Sequence, residues 1–275
     1  MNSHRPLKAL GQHFLYDGGI IRRIINNANL SSGDRVLEIG PGRGNLTKSL
    51  ADSGASIKAI EIDERLIEGP LQKFSDTSNV SIIHGDAAYT CGTDYYEEEQ
   101  NYALISNLPY NVGTKILRNF LSGQHPPDYS LVMLQKEVAR NIVPIEGKGT
   151  ILSCFLGAFI SGNFLFTVKP KSFRPPPKVD SAVIKLDRLK KPLVPAEESG
   201  LYFDFVTAVF RSPRKQVHNS LSLGLKVDSP TVRNWLDEVM IDPVRRPGTL
   251  GLMELQHLFD LIKTTGTLSE PRTGD

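Results

Sequence analysis

The residues best equipped for chemistry are Asn107, Leu108 and Tyr110, with Pro109 between them. An amide oxygen and a backbone carbonyl can together accept both protons of a planar exocyclic amine, and an aromatic ring can stack on the base that carries it. Those are the parts needed to hold an adenine flipped out of its stack. Asn and Pro are also common turn residues, so the tetrapeptide alone equally describes an ordinary strand-to-helix turn with a packed tyrosine.

A second constellation lies upstream. Gly40, Gly42 and Gly44 alternate in a loop that follows the apolar run Val36-Leu37-Glu38-Ile39. Glycine admits positive φ and lets a ligand approach the backbone. The helix expected to follow presents N–H groups to an anionic group. Glu61 comes about twenty residues later, at the tip of the next strand, where an acid can bind ribose hydroxyls. Asp86 ends a third strand and can accept from an adenine amine, although an acid there is more often a helix cap. These features describe an adenosine-containing ligand, either a dinucleotide or S-adenosylmethionine. The spacing Gly-Pro-Gly-Arg-Gly departs from G-x-G-x-x-G and counts against the dinucleotide. Cys91 and Cys154 lack metal-ligand spacing and have no companion His cluster, so neither a metal site nor a disulfide is expected.

The elements that must position these groups follow from hydrophobic periodicity. Buried strands are expected at Ile57–Ile62, Val80–His84, Ala103–Ile105 and Tyr129–Leu134, alternating with helical patterns such as Ile116, Leu117, Phe120 and Leu121. Asp17 caps a helix carrying Ile20, Ile21, Ile24, Ile25 and Ala28. Asp94–Glu99 reads as a solvated acidic loop, Gly147–Gly149 as a basic turn, and Ile151–Ile160 as a buried helix too short to span a bilayer. Phe173 opens a proline-rich stretch and could face the site. Beyond Lys190-Lys191-Pro192 the pattern is helical: Phe203, Val206, Val209 and Phe210; then Trp235, Leu236 and Val239; then Leu252, Leu255, Leu258, Phe259 and Ile262. Arg211, Arg214, Lys215 and His218 cluster at the start of this part, with Arg245 and Arg246 further on, where a polyanion would need support. The final ten residues read as a disordered tail.

With 275 residues, 40% hydrophobic and 23% charged, the chain suits one large domain and a smaller one, and its net charge of +2 requires any basic surface to be local. A polar N-terminus and the lack of a long apolar run argue for a soluble, cytoplasmic protein.

Leu10-Gly11-Gln12-His13-Phe14-Leu15, Leu37-Glu38-Ile39-Gly40-Pro41-Gly42, Asn107-Leu108-Pro109-Tyr110-Asn111, Gln135-Lys136-Glu137-Val138-Ala139 and Pro175-Pro176-Pro177-Lys178-Val179-Asp180-Ser181-Ala182-Val183 together resemble the ribosomal RNA adenine N6,N6-dimethyltransferase family. The resemblance spans nearly the whole chain. It implies an α/β fold, a Rossmann-like class I methyltransferase sheet followed by a small all-helical domain, divided as residues 1–189 for S-adenosylmethionine binding and catalysis and 190–275 for RNA binding. It implies methylation of two adjacent adenosines near the 3′ end of small-subunit ribosomal RNA, by a monomer acting on a pre-assembled small subunit. S-adenosylmethionine is the implied cofactor, held by His13, Leu15, Gly40, Gly42, Glu61, Asp86 and Asn107. Asn107, Leu108, Tyr110 and Phe173 are the implied catalytic set, and Arg211, Arg214 and Lys215 the RNA contacts. His13 stands where many relatives carry Asn, and Pro213 interrupts what is more often a run of arginines. The rivals are a large-subunit RNA enzyme or DNA adenine-N6 enzyme, a non-catalytic RNA-binding assembly factor, and a dehydrogenase.

Overall fold

The computed structural model describes residues 11–144 and 148–268. The chain forms two compact units, one made of residues up to Ala139 together with 162–188, the other of 140–161 together with the residues from Leu189 on. The second unit therefore takes in a segment that precedes the 189/190 boundary drawn from the sequence.

The first unit is built on strands β1 (Phe14–Leu15), β2 (Arg35–Ile39), β3 (Ser56–Glu61), β4 (Val80–His84), β5 (Ala103–Asn107), β6 (Tyr129–Gln135), β7 (Ile160–Val168), β8 (Phe173–Arg174) and β9 (Ser181–Arg188). Seven of them form one sheet in the order β4-β3-β2-β5-β6-β9-β7. β2, β3, β4, β5 and β6 pair in parallel, whereas β9 runs antiparallel to β6. The central strands are apolar without alternation because both faces are covered: Val36, Leu37, Leu104, Ile105, Val132 and Met133 are all buried. The chain order reverses between β2 and β5, and in sheets of this kind the crevice outside the strand ends at that reversal is where ligands bind.

Local chemistry explains the supporting elements. Asp17 accepts from the N–H groups of Gly19 and Ile20 and starts the helix Gly18–Ala28, as its position predicts. Ile21, Ile24 and Ala28 of that helix pack with Val36, Leu50, Ile57 and Ile105.

Two expectations change. The apolar run from Ile151 is helical only to Leu156, and from Ile160 the chain is a strand. An apolar run of this length does not reveal its period, and the β-branched and aromatic residues from Ile160 to Val168 decide the second half. The acidic segment 94–99 is not merely solvated. Tyr96 in its middle is buried, donates to the Val36 carbonyl at 3.1 Å and stacks on Tyr102 at 4.6 Å. Of the basic turn, Gly147 lies outside the described residues, and of the tail residues 269–275 do.

The second unit is helical, with Ile151–Leu156, Ser199–Val209, Val217–Leu225, Ser229–Glu238 and Leu252–Thr264. Tyr202, Phe205 and Phe259 form its aromatic centre. Helix Val217–Leu225 has no counterpart in the sequence reading. Gly224 weakens its helical signal, yet a Cβ there would overlap the backbone of Ala208, so glycine is what lets two helices approach.

Candidate active site

The carboxyl ends of β2, β3, β4 and β5 surround a cleft of about 1170 Å3, counting the part open to solvent. Its wall includes His13, Leu15, Glu38, Gly40, Gly42, Glu61, Asp86, Asn107, Leu108 and Tyr110. Of the predicted cofactor and catalytic residues, Phe173 alone lies outside the wall.

The glycine loop is shaped by close approach. Gly40 and Gly42 have φ of +69° and +60°, and a Cβ on Gly42 would come within 2.8 Å of the Phe14 ring. No other residue type fits both constraints at position 42. The Gly42 N–H donates to Glu61 Oε2 at 3.1 Å, while Glu61 Oε1 accepts from Ile62 and Asp63 N–H groups, each at 3.0 Å. Glu61 is 4% exposed, and burial raises its pKa, partly offset by these three N–H donors. The three N–H donors thereby hold the carboxyl group at the strand tip, in the wall of the cleft. Asp86 caps the short turn Ala87–Tyr89 through Oδ1 on the Ala88 N–H, so it serves both as cap and as cleft wall.

Asn107 holds the central position. Its Nδ2 donates to the His13 carbonyl at 3.1 Å, which fixes the amide orientation. Its Oδ1 is buried and has no hydrogen-bond partner. A buried acceptor left unmade costs about 1–3 kcal/mol, so one retained in a cleft wall is a place where a donor is expected to arrive. The turn behind it closes on Pro109, whose carbonyl accepts from Val112 and Gly113 at 3.3 and 2.8 Å. The link to His13 runs through its main chain, which any residue at position 13 would provide. The imidazole itself bonds the Pro175 carbonyl through Nδ1 at 2.8 Å and lies 5.3 Å from the Tyr110 ring.

Tyr110 also differs from a simple stacking ring. Its hydroxyl is hydrogen-bonded to Ser181 Oγ, and Ser181 is fully buried in β9. The stacking partner expected at Phe173 is elsewhere. Phe173 is 1% exposed and packs in the core with Ile21, Phe166 and Val183, because β8 pairs with β1 in the register Leu15↔Phe173 and turns the ring inward.

Sequence reasoning passed over Glu38 and Gln12. Glu38 is 2% exposed in the cleft wall, its Oε2 has no partner, and burial pushes its carboxyl up to about 8. The signal was a lone acid inside an apolar strand. Gln12 donates to Asp63 Oδ2 at 2.8 Å, which ties the segment before β1 to the strand tip that carries Glu61. Asp63 is held below the ordinary carboxylate range chiefly by its hydrogen bond with Arg65.

In the second unit Arg211, Arg214 and Lys215 are all exposed on the turn between helices Ser199–Val209 and Val217–Leu225. His218 does not join them. It is 3% exposed, with Nδ1 on the Pro243 carbonyl at 2.8 Å and Nε2 facing the Arg233 guanidinium at 2.6 Å. Arg245 is committed to Glu254 at 2.6 Å, whereas Arg246 is exposed. Among the described residues no helix is long and apolar enough to cross a membrane.

Comparison with known proteins agrees with this geometry. The pattern of the ribosomal RNA adenine dimethylase family matches residues 3–242. The ribosomal RNA small subunit methyltransferase A of Clostridium botulinum (strain Langeland) is 37% identical over 257 residues, 93% of each chain. That of Dehalococcoides mccartyi (strain CBDB1) is 34% identical over 251 residues, 91% of this chain and 86% of the relative. Among solved structures, the 23S rRNA methyltransferase ErmE superposes with a TM-score of 0.68 at 26% identity, covering 91% of this chain and 99% of that one. A dimethyladenosine transferase from Plasmodium falciparum superposes with a TM-score of 0.72 at 24% identity, over 92% and 98% of the two chains, and shares the fold.

Proposed function

The chain belongs to the ribosomal RNA adenine dimethylase family, and from that premise we propose that its cleft dimethylates N6 of two adjacent adenosines near the 3′ end of small-subunit ribosomal RNA. It is a methyltransferase that uses S-adenosylmethionine, and ribosomal RNA is its substrate. The observation that carries the reading is Asn107 Oδ1, a buried acceptor without a donor in the wall of a cleft that also holds Glu61 and Asp86.

S-adenosylmethionine, when bound, supplies an electrophilic methyl group. Glu61 suits its ribose hydroxyls, Asp86 its adenine amine, and Gly40 and Gly42 the close approach of its chain, with His13 and Leu15 in the same cleft wall. The adenine N6 of the substrate has its lone pair delocalised into the ring. Asn107 Oδ1 and the Leu108 carbonyl are placed to accept hydrogen bonds from the amine N–H groups and favour a pyramidal nitrogen whose lone pair is free to attack, the N–C bond forming as the S–C bond breaks and one N–H proton passing to water. As positive charge develops on N6 these two oxygens bind it more strongly than in the ground state, and that difference is what accelerates the step. Tyr110 orients the base by stacking.

Within this reading residues 1–189 bind cofactor and carry out catalysis, and 190–275 support RNA through Arg211, Arg214 and Lys215. The enzyme acts as a cytoplasmic monomer on a pre-assembled small subunit. Small subunits lacking the modification, incubated with the protein and methyl-labelled S-adenosylmethionine, should gain label on two adjacent adenosines. Label on large-subunit RNA, or on none, refutes the proposal.

A further inference from the structure

Tyr89 is the most exposed aromatic side chain among the described residues, at 77%, and it is not left to solvent alone. The Lys115 ammonium sits over its ring, 3.4 Å from the centroid. Lys115 has no ion pair among the described residues, so the positive charge is held by the ring and remains unneutralised.

The location of this pair is set by two elements that also build the cleft. Tyr89 ends the turn Ala87–Tyr89, whose cap Asp86 and first residue Ala87 line the cleft. Lys115 is on helix Gly113–Ser122, which follows directly from Asn107–Tyr110. On that helix Val112, Lys115, Ile116 and Asn119 share one face by their spacing. Val112 and Ile116 line the cleft, and Asn119 Nδ2 donates to the Ala88 carbonyl at 2.8 Å, pinning the helix to the turn. A ring and a cation are thus held together beside the part of the cleft wall that Asp86, Ala87, Val112 and Ile116 form. Packing does not account for a tyrosine exposed to this degree, and a surface cation–π contact by itself is weak.

We propose that Tyr89 and Lys115 form a binding platform for a nucleotide flanking the target adenosine: its base stacks on the open face of the Tyr89 ring and Lys115 contacts its phosphate. A single-stranded nucleic acid is the ligand this pairing suits, since every base has a face to stack and every linkage carries a negative charge. The inference rests on the RNA methyltransferase reading above and adds a substrate-holding site on the catalytic unit, separate from the basic turn of the second unit.

The test uses the full chain with unmodified small ribosomal subunits as substrate. Tyr89→Ala and Tyr89→Leu should raise KM for subunits roughly 5- to 100-fold, while kcat and S-adenosylmethionine affinity stay within twofold of wild type. Tyr89→Trp should restore the wild-type KM. Lys115→Gln should reduce the slope of log KM against log salt by roughly 0.7–0.9, and Lys115→Arg should keep it. A wild-type KM in Tyr89→Ala, a Leu variant as good as Tyr, or cofactor affinity falling in step with KM overturns the platform. A wild-type protein that transfers no methyl group to these subunits refutes instead the functional reading beneath it.

Discussion

The hydroxyl of Tyr110 matters in this structure, although the sequence assigns a role to its ring alone. It is hydrogen-bonded to Ser181 Oγ, which is fully buried in β9, while Tyr110 itself is half-buried at the cleft. Tyr110→Phe keeps the ring but strands a buried hydroxyl that has no route to water. That costs about 1–3 kcal/mol of folding stability. Ser181→Ala strands the phenol instead, which is closer to solvent, and should cost about 0.5–1.5 kcal/mol. Removing both groups leaves nothing unpaired, so the double variant should be more stable than the sum of the singles by about 1–2 kcal/mol. If the bond holds the ring in place for stacking, each single change should also lower kcat several-fold at unchanged cofactor affinity. Tyr110→Ala should lose a further ~1–3 kcal/mol with the stacked base. Denaturant melts and steady-state rates on the four proteins of the cycle measure both effects. Strictly additive stabilities, or a Phe variant with wild-type stability and rate, would show that the hydroxyl contact neither stabilises nor orients the ring.

Glu61→Ala should weaken S-adenosylmethionine binding by roughly 1.5–3 kcal/mol while saturated turnover changes less, because the ribose bonds persist unchanged into the transition state; calorimetry showing equal affinity removes Glu61 from the site. Replacing Arg211, Arg214 and Lys215 with neutral residues should lower RNA affinity and flatten its salt dependence by roughly 0.7–0.9 per lost phosphate contact, with cofactor binding intact; an identical slope would make the turn a merely solvated face. Glu38, pushed up to about 8 against an ordinary 4.5, keeps its proton in the folded state where the unfolded chain has lost it. Stability should therefore fall as pH rises from about 4.5 to about 8 and level off above, with a slope of at most ~1.4 kcal/mol per pH unit. Glu61, raised in the same direction by burial, adds to this trend. Glu38→Gln should flatten the slope in melts across that range, and an unchanged slope would mean Glu38 is ionised throughout.

The sequence by itself determined the class of fold and most of the cleft. Strand tips, the alternating glycines, Glu61, Asp86 and Asn107 are legible because each lies where a local period breaks: an apolar run ends, and a polar residue or glycine follows at the sheet's edge. The cap at Asp17 is legible for the same reason, since it acts on N–H groups two and three residues away. Contacts that join distant segments were decided by the tertiary structure. Phe173 faces the core and not the cleft because β8 pairs with β1, some 158 residues away by the register Leu15↔Phe173, and no pattern within either segment specifies that pairing. The Tyr110 hydroxyl finds Ser181 across a separation of 71 residues, and the Asn107 amide is oriented by His13 across 94. His218 leaves the basic cluster because helix Val217–Leu225 turns it toward Pro243 and Arg233. Periodicity reports which face of an element is apolar. Which partner that face meets, and so which polar atom is satisfied and which is left for a ligand, is set only when the elements pack.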